Sequence, residues 1–450
     1  MRSSRKGFKI PVCILLVFTL LFAMPIFAFA EGSQTAGLTK ADVSTKLNTI
    51  SKYIVNTVKN PVISSIGGEW SVLGLARSGV GVPQNYYDNY YQNVVAELKE
   101  KDGVLTKTKY TEYSRLVLAL TAIGKDVTNV GGYNLLEKLS DFNNVKKQGI
   151  NGPIFALIAF DSKNYSVPAS ADAEVQTTRE MLIDYILSKE ITDANGIQGG
   201  FSLTGNVPDP DITGMALQAL AKYKNEPKVK AAIDRALSVL NRIQNSDGGF
   251  ETWGEKTSES IIQVIIGKAA LGMDAKANLS ALMDYYLSEG SFRHTPDGNS
   301  DLMATEQGLY ALAAYSRYLD GKNTLYDMTD VIAQSSEIKV KYNGTYLTFD
   351  QPPVNQDGSV LVPMKVIFEA IGAALTWDPA EKKVTAILGD KTIVLVIGNQ
   401  TATVNGVPQT LSVPAKLINS RTMVPVRFVS ESLDADVSWD QTTKTVIIKN

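Results

Sequence analysis

Two sets of residues in this 450-residue chain have types and spacing that could do chemistry. The first is the run PDPDITGMALQAL, where Asp209, Asp211 and Thr213 open a small, apolar stretch. A carboxyl kept in an apolar cavity beside other acids holds its proton near neutral pH and can deliver it to a substrate. Its plainer use is helix capping. Asp209-Pro210-Asp211 places an acid and a proline where a helix should start, and acids there favour the N-terminal dipole. The second set is a series of acids, each at the head of an apolar segment: Glu69 with Trp70, Glu112 with Tyr113, then Asp211, Glu259 and Glu306. Gathered at one end of a helical ring, they would rim a central funnel with aromatics beside them. Such a mouth would bind a hydroxylated or cationic ligand. With two carboxylates, or a Tyr/Arg pair, it could cleave a carbohydrate. Dipole pairing at each helix start is the structural alternative.

Other chemistries are excluded by residue counts. The single cysteine is Cys13 and the single histidine is His294. A mature chain without Cys13 has no disulfide, thiolate ligand or nucleophilic thiol, and clustered histidine ligands are absent, so neither metal nor cofactor is expected. His294, in SFRHTPDG, is expected to be a solvated loop residue. With 44 Lys+Arg against 46 Asp+Glu, no basic field exists to hold a nucleic acid. Residues 1–30 read as a signal peptide: a basic head (Arg2, Arg5, Lys6, Lys9), an apolar run over 12–29, and Ala28-Phe29-Ala30 before Glu31. A retained anchor is the alternative. No later stretch is long and apolar enough to span a bilayer. Export without disulfides suits a secreted bacterial protein.

The elements that must position the acids follow from periodicity. After a flexible leader at 31–37, helical spacing runs over 38–59. Apolar segments then start at Glu69, Glu112, Asn151, Asp211, Glu259 and Glu306, between 39 and 60 residues apart. That is a degenerate repeat of the size of a helix pair. In the segment from Asp211, the residues Ile212, Met215, Ala216, Ala219, Leu220 and Tyr223 share one helical face. Amphipathic segments at 87–100, 134–142, 173–190, 227–244 and 277–289 alternate with the apolar ones. Over 38–325 this predicts six pairs of inner apolar and outer charged helices, closed into a ring, with an open solenoid as the alternative.

After a polar linker at 326–337, β-branched and polar residues alternate through 338–450. The region is an internal duplication with a 62-residue offset. Asn343/Asn405, Gly344/Gly406, Val362/Val424, Pro363/Pro425, Glu369/Glu431, Trp377/Trp439 and Asp378/Asp440 all match. Each copy predicts a hairpin at Asn-Gly, a helix started by Val-Pro, and a closing hairpin at Trp-Asp. Trp377 and Trp439 are expected to cover each unit's small core; stacking on a sugar is the sharper alternative.

The stretch RALSVLNRIQNSDGGF, at 235–250, resembles the QW repeat of squalene cyclases and the related prenyltransferase/squalene oxidase repeat. Arg235, Ala236, Val239, Leu240, Gln244, Gly248 and Phe250 fit its spacing, and the stretches around Phe201 and Phe292 are weaker copies. The resemblance implies the (α/α)6 toroid of terpenoid cyclases, protein prenyltransferases and cobalamin carriers. Within the motif, Gln244 can satisfy backbone groups at a helix end, Gly248 and Gly249 supply the turn, and Phe250 pins neighbouring helices. PDPDITG resembles the D-x-D-D-T motif of squalene-hopene-type cyclases, which would make Asp211 a proton donor; here Ile212 replaces the second adjacent acid. Zinc-dependent and thioester toroids need cysteines and histidines that this chain lacks. The stretches VLVPMKVIFEAIGAALTWD and TMVPVRFVSESLDADVSWD resemble the copper amine oxidase-like N-terminal domain over 338–450. Copper oxidase chemistry needs histidine ligands, and this region has none. The resemblance therefore implies a stalk-like attachment module.

The expectation is thus an all-α (α/α)6 toroid followed by a duplicated, β-rich α+β module. The protein is expected to be secreted, monomeric and cell-envelope associated, binding a small molecule or an envelope polymer without catalysis. The alternative is an extracellular toroid enzyme, either a polysaccharide lyase or hydrolase or, further off, a terpenoid cyclase.

Overall fold

The computed structural model describes residues 38–252, 254–332, 338–356, 358–440 and 443–449. The expected signal peptide, the leader and the end of the linker lie outside these. Helix α1 (Lys40–Thr57) opens with a capping box, in which Thr39 and Asp42 each accept the other's backbone N–H, at 3.2 and 2.8 Å. The apolar segments form α2 (Glu69–Ser78), α4 (Thr111–Ala122), α6 (Asn151–Asp161), α8 (Pro210–Leu220), α10 (Ser258–Leu271) and α12 (Leu302–Leu319). Between them run α3 (Gln84–Glu100), α5 (Phe142–Val145), α7 (Arg179–Ser188), α9 (Pro227–Ile243) and α11 (Lys276–Leu282). Two short hairpins, β1 (Glu251–Thr252) with β2 (Glu255–Lys256) and β3 (Phe292–Arg293) with β4 (Ser300–Asp301), lead into α10 and α12.

The apolar helices are buried on most sides; in α6 every residue from Gly152 to Phe160 is buried. By contrast α9 buries one stripe, Val229, Ala232, Ile233, Ala236, Val239 and Leu240, as its spacing dictates. Each apolar helix packs on the next, from α2 through α4, α6, α8 and α10 to α12, and α12 packs on both α2 and α1. The α8–α10 approach depends on glycine. A Cβ on Gly214 would sit 2.6 Å from the Gln263 backbone, and one on Gly267 would sit 3.0 Å from the Gly214 carbonyl. Two aromatics pin loops to the following helix in the same way. The Phe201 and Phe292 amides donate to the hydroxyls of Thr213 (2.9 Å) and Thr305 (2.8 Å), and both rings are fully buried.

Three predicted outer helices are shorter than their periodicity suggested. At 134–142 there is a 3-10 turn, Leu135–Leu139, and then α5. The Asn134 and Asp141 side chains each cap a new start, accepting from the Leu136 and Asn143 amides at 3.1 and 3.0 Å. The helix expected over 173–190 begins only at Arg179, where Thr178 accepts from the Met181 amide at 3.1 Å. Helix α11 gives way to a 3-10 turn at Met283–Tyr285. The expected linker also starts late. Leu325, Tyr326 and Met328 belong to the core of the helical part. The buried Arg77 at the end of α2 holds this strap by donating to the carbonyls of Thr324 (3.0 Å), Leu325 (3.0 Å) and Asp327 (2.8 Å) and to the Asp330 carboxylate (2.8 Å).

The β-rich part has its own core, including Val340, Val362, Phe368, Val424 and Ile448. Its first copy comprises β5 (Lys339–Tyr342), β6 (Thr345–Tyr346), β7 (Val354–Gln356), β8 (Ser359–Pro363), α13 (Met364–Ile371), β9 (Ala374–Asp378) and β10 (Lys383–Leu388). Strand β11 (Lys391–Val396) joins it to the second. That copy comprises β12 (Thr401–Val404), β13 (Val407–Thr410), β14 (Lys416–Ile418), β15 (Arg421–Pro425), α14 (Val426–Ser432), β16 (Asp436–Asp440) and β17 (Thr445–Lys449). Three sheets result, in the orders β13-β12-β11-β10-β9, β14-β15-β8-β7 and β16-β17-β5-β6. The copies meet at β8 and β15, where Val362 faces Val424, Pro363 faces Met423 and Leu361 faces Pro425. Exchanging the copies maps this register onto itself, so they are related by a local two-fold axis. The tryptophans cover the cores only from the side. Trp377 and Trp439 do lie across from the buried Val384 and Val446, but they remain 47 % and 37 % exposed. Both sit on end strands of their sheets, so each lids the edge of a core rather than filling it.

Candidate functional site

The heads of the apolar helices carry two acid clusters. In the first, Glu69 and Glu306 are only 1 % and 2 % exposed, so neither stands on an open rim as expected. The loop before α2 covers them. Glu69 Oε1 accepts from the Ser64 amide at 2.7 Å, and Glu306 Oε2 accepts from the Gly67 amide at 2.8 Å and the Ser71 hydroxyl at 2.9 Å. Burial raises both pKa values, that of Glu306 to about 7, against the opposing pull of these donors and of the Arg115 charge. Trp70 lies beside them, its ring 5.6 Å from Phe155 and 5.5 Å from Tyr310. Glu112 is half-buried near Glu69 and adds to the upward pressure on it. Tyr113 points elsewhere: its hydroxyl accepts from the Leu105 amide at 2.9 Å.

In the second cluster, Asp209 is the N-cap of α8, accepting from the Asp211 and Ile212 amides at 2.7 and 3.3 Å. Burial raises its pKa, and those two amides oppose the rise. Asp211 is pushed up to about 7 by burial and then by the charges of Asp209 and Glu259, with the Ser260 hydroxyl and His294 acting the other way. Glu259, 7 % exposed, accepts through Oε2 from the Ser258 hydroxyl at 3.1 Å and contacts His294 Nδ1 at 2.8 Å. His294 is the loop residue expected, its side chain 46 % exposed, but this contact ties its ring to Glu259. The loop after β3 brings it back over the head of α10, where its carbonyl accepts from the Ser258 amide at 2.9 Å. One oxygen on each acid, Asp211 Oδ1 and Glu259 Oε1, is buried without a hydrogen-bond partner.

The QW-like turn is a structural device. Gln244 Nε2 and Asn278 Nδ2 both donate to the Gly248 carbonyl, at 2.9 and 2.8 Å. Gly248 has φ 90°, Gly249 donates to Asp247 at 2.8 Å, and Phe250 is fully buried beyond the turn. Thr213 is used for packing, as the anchor of Phe201.

Sequence reasoning missed three features. His294 gave only its uniqueness as a signal. Arg115, one turn after Glu112, carries a buried Nε without a partner. A buried amide chain also links three helices: Gln218 Nε2 donates to Gln263 Oε1 (3.0 Å), and Gln263 Nε2 donates to Gln307 Oε1 (3.0 Å) and to the Tyr310 hydroxyl (2.9 Å). A cavity of about 340 Å³ lies at the other ends of the helices, lined by Gln218, Ala269, Ala314 and the strap at Leu325 and Tyr326. None of the acid-cluster residues lines it. Among the described residues no group of three or more His, Cys, Asp or Glu is placed to hold a metal ion, and no helix is long and apolar enough to cross a membrane.

Comparison with known proteins places part of the chain. A protein named protease inhibitor from Brevibacillus choshinensis is 28 % identical over 125 residues, covering 26 % of this chain and 38 % of that protein. The match thus spans little more than a third of the relative's length. Among solved structures, a glycosidase variant superposes with a TM-score of 0.40 at 11 % identity, covering 62 % of this chain and 99 % of that one. The wild-type glycosidase gives 0.36 at 12 %, covering 66 % and 100 %. Superpositions of this quality do not establish a shared fold. Residues 341–448 match the copper amine oxidase N-terminal domain family, so the β-rich part of this chain carries a domain of that type.

Proposed function

We propose that the helical part is a closed (α/α)6 toroid that holds a hydroxylated small molecule, or a segment of envelope polymer, at its acid-bearing end. The β-rich part attaches the protein, secreted and monomeric, at a bacterial cell envelope. The cyclic packing order from α2 to α12 and back to α2 supports the ring. The observation that carries the binding reading is the pair of buried, unpartnered oxygens, Asp211 Oδ1 and Glu259 Oε1, on adjacent helix heads. A buried acceptor left without a donor costs about 1–3 kcal/mol. Ligand hydroxyls supply the missing donors, and Trp70 with Phe155 and Tyr310 offers an apolar wall. The test is calorimetric titration with neutral cello-, malto- and chito-oligosaccharides. Asp211→Asn combined with Glu259→Gln should weaken binding at least about tenfold, the loss of one good contact, without unfolding the chain. An unchanged titration discards the site.

A second reading, an extracellular polysaccharide hydrolase, is favoured by one observation. Asp211, at about 7, remains partly protonated at neutral pH beside the His294–Glu259 pair. Release of reducing ends that Asp211→Asn abolishes would support it. Binding without any cleavage would remove it.

A further inference from the structure

The two copies of the β-rich part share more than a fold. Each places a cation, a tryptophan and a lysine at matching positions: Lys365, Trp377 and Lys382 in the first, Arg427, Trp439 and Lys444 in the second. Lys382 and Lys444 both have left-handed backbones, with φ 48° and 47°.

The second set opens on a cleft of about 1390 Å³, and the first set does not line it. The opposite wall is formed by Tyr91 and Lys99 of α3 and by Lys125. Lys444 lies close enough to Lys125 for the two like charges to interact. Among the described lining residues, four cations (Lys99, Lys125, Arg427 and Lys444) accompany one carboxylate, Asp88, which accepts from Lys125 at 3.1 Å. Glu431 stands 3.6 Å from Arg427 at the side. The described lining is therefore basic on a chain of net charge −2, and it includes two aromatic residues, Trp439 and Tyr91, the latter with Lys125 Nζ 4.8 Å over its ring.

We propose that this cleft binds an anionic polysaccharide, whose charged groups pair with Lys99, Arg427 and Lys444 while its sugar faces rest on Trp439 and Tyr91. Its volume exceeds the roughly 300–1,000 Å³ of a small-molecule pocket, so it accepts a run of units rather than one. The charges are carried by carboxylates, as in a uronate polymer, or by phosphodiesters, as in a polyol phosphate. The inference rests on the attachment reading of the β-rich part and names what that part would grip.

The duplication supplies its own control. The full chain is titrated with oligogalacturonate, with poly(glycerol phosphate) and with neutral dextran, at low and at high salt. At least one of the two anions should bind, more weakly as salt rises, and any dextran binding should be indifferent to salt and to the cleft cations. Arg427→Gln/Lys444→Gln should lose at least about tenfold in affinity. The matching Lys365→Gln/Lys382→Gln should change it less than about twofold, and circular dichroism should show both variants folded. Equal losses in the two variants, dextran binding that Arg427→Gln/Lys444→Gln weakens as much as it weakens anion binding, or tighter binding of single-stranded DNA would each overturn the proposal. If the chain adheres to purified cell walls yet neither anion binds, this inference fails and the attachment reading stands. If oligogalacturonate binds but cell walls do not, the reverse holds.

Discussion

Replacing Glu306 by glutamine tests whether the acid cluster at the heads of α2 and α12 is held protonated by burial. Glu306 has its pKa raised from 4.5 to about 7, chiefly by desolvation. At about 1.4 kcal/mol per pH unit, that corresponds to about 3 kcal/mol of linkage. The direction is set by which state holds the proton more tightly. Here the folded state does, so the stabilisation is fully present below pH 4.5 and is lost as pH rises to about 7. Asp211, raised from 3.8 to about 7, adds about 4 kcal/mol with the same sign. Carboxylates whose pKa is lowered, such as Asp330 and Asp247, act below this window. The helical part should therefore be more stable near pH 5 than near pH 8. Glutamine keeps an oxygen for the Gly67 and Ser71 donors and removes the titration. Urea unfolding followed by circular dichroism at both pH values should show Glu306→Gln gaining about 3 kcal/mol at pH 8 over the wild type, with little change at pH 5. A wild type whose stability rises with pH, or a variant with an unaltered pH slope, would refute the assignment.

Two further predictions concern the scaffold. Gly214→Ala places a methyl 2.6 Å from the Gln263 backbone and should cost about 2 kcal/mol or more, read as a lower urea midpoint. Arg77→Ala strips four hydrogen bonds from the strap and should cost about 3 kcal/mol. It should also open the 324–332 segment to limited proteolysis, whereas an intact strap would contradict the pinning role.

What could be read in the sequence was whatever depends on local period. The apolar helices were legible because Ile212, Met215, Ala216 and Ala219 recur at helical spacing, and the 62-residue duplication because its turns and Val-Pro pairs repeat in register. The acids at the helix heads were legible from Glu69 and Glu259 standing before apolar runs. Their burial was not, because it comes from separate loops: 64–67 covers Glu306, and the return after β3 brings His294 onto Glu259 from 35 residues away. The strap misled because its composition is polar. One arginine, 248 residues upstream of Leu325, turns its carbonyls into core contacts. The tryptophans' exposure was not legible either, because covering a core from an end strand leaves the outer side of the ring in solvent.

The central claim is that the acid-bearing end of the helical part holds a ligand. The most direct measurement is native mass spectrometry of the protein recovered from its own source, compared with Asp211→Asn/Glu259→Gln prepared alike. The account predicts extra mass on the wild type that is absent from the folded double variant. Identical, ligand-free masses for both, or a bound species indifferent to the two substitutions, would contradict it.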